Sequence, residues 1–129
     1  MMFINSNVPW QELCKTCSLT LDNMKHNSSI FLNPASFVFM SSNPSLTTEI
    51  IQAYPAAPWD WSEINLNPAV TLEMIQALED RPWSFVLLSA NESSDLPRII
   101  AHFPEKNWNR DLLRLTYNYQ ATRQTKFFA

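Results

Sequence analysis

The apolar positions along this chain recur at helical spacing, and the pattern then repeats as a block. Leu46, Ile50 and Tyr54 stand at i, i+4 and i+8, one stripe of a helix. Trp61 and Ile64, Phe37 and Met40, and Phe85 and Leu88 stand three apart, which marks a second, shorter amphipathic helix. Polar residues punctuate the two kinds. Thr47 and Thr71 precede helices of the first kind, where a hydroxyl oxygen can accept an otherwise orphan backbone N–H. Ser36, Asp60, Ser84 and Asn109 precede helices of the second kind and read as N-caps. Asp60 and Glu63 form a capping-box pattern, with the glutamate reaching back to the cap N–H. Pro55 and Pro104 stop the first helix, and Asn-Pro stops the second. The pattern predicts helices over 47–54, 60–66, 71–78, 85–90, 97–103 and 109–115, with no β-sheet of consequence.

The block is about 24 residues long. Asn43, Asn67 and Asn91 are spaced by 24 and 24, and Thr47 and Thr71 follow the same step. Trp59, Trp83 and Trp108 follow it too, with one residue inserted between Asn91 and Ile99. NPASFVFMSSN (33–43) overlays RPWSFVLLSAN (81–91). Trp10, Glu12 and Thr20 overlay Trp61, Glu63 and Thr71, which puts Cys14 and Cys17 at the Asn65 and Pro68 positions. The copies run over 8–32, 33–57, 58–81 and 82–106, with a half copy at 107–119 and a tail at 120–129. Helices this short are marginal alone, so neighbouring copies must hold them. The expected fold is all-α, a short α-solenoid of helix-turn-helix repeats in a single domain over 1–129. Trp59, Trp61, Trp83, Phe37, Phe85, Ile50, Ile64, Met74, Ile75, Leu88, Ile99, Ile100 and Leu113 are expected to be mostly buried.

The consensus N-P-x-[LV]-T-x-E-[IM]-I-x-x-x-P-x-x-P-W-D-W-x-x-[IL]-x-x-N-P is carried almost in full by Asn43 to Pro68, and in part by Arg81 to Ala90. It resembles the tandem repeats of giant DNA virus proteins, Marseillevirus-like and mimivirus-like, over about residues 33–119. The resemblance implies a viral origin and a helical repeat fold, and it carries no activity with it. Phe37, Phe85 and Arg110 depart from the second Trp of the pattern, and Ser94-Asp95 departs from its Leu-Thr start.

Composition narrows the chemistry. Of 129 residues 46% are hydrophobic and only 16% charged, so Asn, Ser, Thr and Gln must carry much of the surface. There is no glycine, which excludes Gly-rich phosphate loops and Asn-Gly hairpins. Formal net charge is −3 but unevenly placed: residues 98–129 hold six basic and two acidic side chains. Arg110, Arg114, Arg123 and Lys126 are therefore the candidate contacts for a partner or for nucleic acid.

No serine-hydrolase elbow, zinc-protease, P-loop or EF-hand pattern is present, so neither an enzyme nor a cofactor is expected. Cys14-Lys15-Thr16-Cys17 has the spacing of a redox pair, or of half a metal site completed by His26 and His102. The repeat alignment gives both cysteines an ordinary place at a helix end, and no metal is expected. The tryptophans could stack bases, but their repeat phase favours packing between copies. Glu49, Asp60, Glu63 and Glu73 read as caps and first-turn acids rather than paired catalytic carboxylates. The opening MMFINSNVPW lacks a basic region and an apolar core. With no membrane-length apolar run, an infected-cell or virion location is expected, neither secreted nor membrane-bound.

The expected role is non-enzymatic protein–protein interaction or virion scaffolding with an unknown protein partner. The alternative is nucleic-acid binding through the basic C-terminal third. Residues 107–119 are expected to close the core, with 120–129 a loose or partner-ordered arm. Alternatively, Phe127-Phe128 folds back onto the last copy or joins two chains as a homodimer. A helix-dominated far-ultraviolet spectrum is expected, and one dominated by strand would overturn the fold class.

Overall fold

The structure, a computed structural model, describes residues 9–117. Within them lie ten α-helices and no strand. They are α1 (Trp10–Thr16), α2 (Leu21–His26), α3 (Ser28–Phe31), α4 (Pro34–Met40), α5 (Thr48–Ala53), α6 (Trp61–Leu66), α7 (Leu72–Ala77), α8 (Phe85–Leu88), α9 (Leu96–His102) and α10 (Arg110–Tyr117). The protein is all-α over this span. Its contacts divide it into two compact halves, Met1–Ile64 and Asn65–Ala129.

Helices of the first kind start as their sequence dictates. Thr20, Thr47 and Thr71 sit in extended backbone, and each side chain accepts the N–H three residues on, from Asn23, Ile50 and Met74. Asp95 stands at the same place before α9 but makes no side-chain cap there. Its carboxylate instead accepts the Leu72 N–H at the start of α7, at 2.6 Å.

Two expected caps are corrected. Ser36 is not an N-cap: α4 begins a turn earlier at Pro34, and the Asn33 side chain accepts the Ser36 N–H. An Asn cap followed by Pro in the first turn outcompetes serine, because proline's missing N–H is one a helix start cannot satisfy anyway. Asp60 does cap α6, accepting from the Ser62 and Glu63 N–H groups at 3.1 and 3.3 Å. The capping box is not closed by Glu63, however. The Asp60 N–H goes to the Ser41 hydroxyl at 2.8 Å.

That last bond belongs to a recurring clamp. In the C-terminal half, the Ser84 N–H donates to Asn65 Oδ1 at 2.8 Å. Seven residues on, Asn91 Nδ2 donates to the Asn65 carbonyl at 2.7 Å. The next copy repeats it on Ser89. The Asn109 N–H donates to the Ser89 hydroxyl and the Thr116 hydroxyl to the Ser89 carbonyl, both at 2.8 Å. Asn65 and Ser89 are thus each held through a side-chain oxygen and a carbonyl. The two holding groups lie seven residues apart, Ser84 and Asn91 flanking α8, and Asn109 and Thr116 at the start and near the end of α10. In the N-terminal half, Asn43 Nδ2 likewise donates to the Cys14 and Cys17 carbonyls at 2.9 and 2.8 Å. Asn91 treats the Asn65 and Asn67 carbonyls in the same way. Cys17 therefore does the job of Asn67, one residue away from the Pro68 position that sequence alignment assigns it. In α10 the place of Ser89 passes to Arg114, a donor only, so it offers no acceptor side chain.

The same asparagines make glycine unnecessary. Asn43, Asn67 and Asn91 accept the N–H two residues on, from Ser45, Ala69 and Ser93, closing a turn through their side chains. Ser41 and Ser89 end α4 and α8 with right-handed backbone, at φ −60° and −61°. Helices of the first kind end at Tyr54, Leu78 and Phe103, again with negative φ. Each of those carbonyls receives an indole N–H five residues on, from Trp59, Trp83 and Trp108 at 2.9, 2.9 and 2.8 Å.

In the N-terminal half α1 packs on α4, and Cys14, Met24, Phe31, Met40 and Ile51 are fully enclosed. In the C-terminal half α7 packs on α9 over Val70, Met74, Ile75, Leu88, Leu96, Ile99, Ile100 and Leu113. Phe37, Ile50, Trp59 and Ile64 are buried as expected. Trp61, Trp83 and Phe85 are mostly buried but keep part of their surface accessible. Trp83 lines the rim of an open cleft. Phe85 keeps one face toward an open cleft.

Asn91 is 1% exposed and satisfies two carbonyls and one N–H. Asn91→Ala strands all three, at about 1–3 kcal/mol each, so urea denaturation should show a loss of roughly 3 kcal/mol or more. Asn91→Asp turns a carboxylate toward the same carbonyls, which raises the pKa of the new group in the folded state. Its deficit against the parent should therefore be largest at neutral pH and shrink on acidification. A loss below about 1 kcal/mol would remove the clamp from its central role.

Candidate interaction surface

The outer faces of the first helices are polar. In the C-terminal half Arg98 joins Glu73 and Asp95, with Nη2 2.5 Å from Glu73 Oε2 and Nη1 2.9 Å from Asp95 Oδ1. Hydrogen bonding to Arg98 holds the Glu73 carboxyl below the usual glutamate range and raises the guanidinium further above its own. Arg98 and Glu73 are solvent-exposed, so salt screens their pairing and it adds little to stability, whereas Asp95 is mostly buried. Beside it, Gln76 Nε2 lies 3.3 Å from His102 Nε2.

Of the four basic candidates, the structure places Arg110 and Arg114 on α10, one turn apart, both exposed. Arg114 pairs with Asp111 at 2.9 Å. Arg123 and Lys126 lie outside the described residues, as do the tail Tyr119 and Phe127-Phe128. Lys106 sits 5.5 Å over the Phe85 ring and 5.9 Å over Phe103. Several cations of the basic third are therefore engaged within the chain.

Lys106 borders a cleft of about 570 Å³ in the C-terminal half, lined by Ile75, Glu79, Asp80, Arg81, Trp83, Phe85, Phe103 and Lys106. Its floor is aromatic: Phe85 meets Phe103 at 5.3 Å and Trp108 edge-on at 5.2 Å between ring centroids. Its rim carries both signs of charge. The same aromatic triad occurs in the N-terminal half as Phe37, Tyr54 and Trp59. There Ala57 takes the place of Lys106, two residues before the tryptophan. Sequence reasoning missed this cleft, although Arg81 and Lys106 share one repeat position.

The cysteines sit at the end of α1. Cys14 is fully buried and Cys17 half-buried, and neither forms a disulfide. Burial pushes both thiols up, offset at Cys14 by a hydrogen bond with Ser36 and reinforced at Cys17 by the neighbouring thiol. A reactive pair needs surroundings that stabilise a thiolate, and these do the reverse. Among the described residues no three His, Cys, Asp or Glu side chains gather as a metal site. No helix there is long and apolar enough to cross a membrane.

Comparison with family models, with curated proteins and with solved structures returned no match.

Two outcomes follow from these sites. In the folded protein Cys17 should react with a thiol reagent slowly at neutral pH, and Cys14 only on unfolding. Fast labelling of Cys14 in the native state would contradict its burial. Because the Glu73 carboxyl is lowered, its pairing with Arg98 contributes above the ordinary glutamate range and fades as pH falls through the lowered value. Thermal melts should show a small deficit for Glu73→Gln at neutral pH and low salt, vanishing in acid or at high salt. A deficit indifferent to both would rule out the ion pair as its source.

Proposed function

We propose that this chain is a short α-solenoid of about 24-residue repeats. It serves as a non-enzymatic protein–protein interaction or virion scaffold protein of a giant DNA virus. The repeat reading is supported by the clamp and the Trp-to-carbonyl bond, which recur at repeat spacing within each half. The viral assignment rests on the resemblance of Asn43 to Pro68 to giant-virus tandem repeats. The observation that carries the interaction role is the C-terminal cleft, with Trp83, Phe85 and Phe103 rimmed by Glu79, Asp80, Arg81 and Lys106. Aromatic and arginine side chains anchor protein interfaces, and a rim of both signs suits a protein surface better than a polyanion.

Nucleic-acid binding through Arg110 and Arg114 is the second reading, favoured by their exposure on one helix. Phosphate binding weakens steeply with salt, roughly in proportion to the phosphates neutralised. Retardation of labelled DNA and RNA, titrated with salt, should give weak binding that the Arg110→Ala/Arg114→Ala double variant leaves unchanged. Salt-steep binding lost in that variant would overturn the protein-partner reading. Capture from infected cells should recover a partner that Asp80→Lys or Lys106→Glu releases, with thermal melts checking that both variants, at exposed positions, remain folded. A partner retained by both variants would remove the cleft from the interface.

A further inference from the structure

The aromatic triads of the two halves are covered differently. Phe37 and Trp59 are each 6% exposed, whereas their counterparts Phe85 and Trp108 keep part of their surface accessible. The residues around the rings differ in the same sense. Carrying the overlay of 33–43 on 81–91 two residues further back, Phe31, Leu32 and Ala35 stand where the cleft has Glu79, Asp80 and Trp83. Ala57 stands where it has Lys106. Phe31 is fully buried core. Two carboxylates, an ammonium and a further ring have thus replaced apolar side chains around the triad that stays open.

The ammonium sits on the rings. Lys106 Nζ is 5.5 Å from the Phe85 centroid and 5.9 Å from that of Phe103, and the two rings are 5.3 Å apart. An aromatic face is electron-rich and attracts an ammonium at this range. The cleft floor therefore already holds a cation, one that the chain itself supplies. The carboxylates stand at the opening. The Asp80 side chain is 83% exposed against 25% for its neighbour Arg81, so the acid is the more accessible of the two. Glu79 is exposed as well and joins no ion pair among the described residues. Ring faces beside free carboxylates suit a lysine, whose alkyl stem packs on the rings while its charge meets the acids. An acidic side chain would meet those carboxylates without any attraction from the rings. We propose that the cleft receives a lysine side chain of a protein partner, seated on Phe85 and Phe103 with Glu79 and Asp80 at its ammonium. In the free protein Lys106 fills that seat. This inference rests on the cleft being the interface and adds the chemistry of its occupant. The incoming lysine must displace a tethered one, whose effective concentration is on the order of millimolar.

The probes are three capped tripeptides with lysine, norleucine or glutamate between two alanines. Each is titrated into the full chain and followed by NMR on the Trp83 indole N–H and the Phe85 and Phe103 rings. The lysine peptide should shift these signals saturably, and the norleucine and glutamate peptides should not. Lys106→Ala, which installs the residue of the N-terminal copy, should tighten the lysine peptide severalfold. The Glu79→Gln/Asp80→Asn double variant should abolish its binding, with thermal melts showing both variants folded. Equal shifts from norleucine, or none from lysine even in Lys106→Ala, would overturn the proposal. Capture from infected cells separates this failure from that of the interface itself. A lysine occupant predicts release by Asp80→Lys and retention by Lys106→Glu. Release by Lys106→Glu, alone or together with Asp80→Lys, would overturn the lysine and keep the cleft as the interface. Retention by both would overturn the two readings at once.

Discussion

The structure depends on one constraint: a buried amide must close two carbonyls and an N–H that short helices leave open. A helix of four to seven residues has more orphan backbone groups than internal hydrogen bonds. Burying such ends without partners would cost more than their apolar faces return. Asn43 and Asn91 solve this because an amide has two donors and an acceptor on one side chain. Aspartate could not donate, and serine could not reach both carbonyls.

This explains a composition that otherwise looks odd. Helix ends are closed by amides, hydroxyls and indole N–H groups, so charged residues are few and glycine is dispensable. The clamp also ties each second helix to the one before it, so neighbouring helices rather than intrinsic propensity hold segments as short as α8. At the C-terminal end the device changes character. Thr116 supplies a single donor where Asn91 supplies two, and Arg114 offers no acceptor where Ser89 and Asn65 do.

The surface divides by helix kind. First helices present ion pairs and amides, such as the Glu73–Arg98–Asp95 group, whereas second helices add exposed aliphatic side chains to ion pairs such as Arg114–Asp111. Between these surfaces in the C-terminal half lies an aromatic cleft over which Lys106 is poised. The cysteine pair sits in surroundings that raise both thiols and so suppress their reactivity.

The sequence by itself determined the helical class, the 24-residue spacing and most helix starts. These are local matters: Thr47 and Thr71 cap the helices that directly follow them, and apolar spacing shows which face turns inward. It also marked Asn43, Asn67 and Asn91 as the repeat's fixed points without saying why. Only the tertiary structure decided that Asp60 gives its N–H to Ser41 instead of Glu63, and that Asp95 serves α7 instead of α9. Those partners lie 19 and 23 residues away, beyond any window in which local preference acts. The cleft was hidden for the same reason. Phe85 reads as a core-forming side chain in its own helix, and how far it is covered depends on what the next segment places over it.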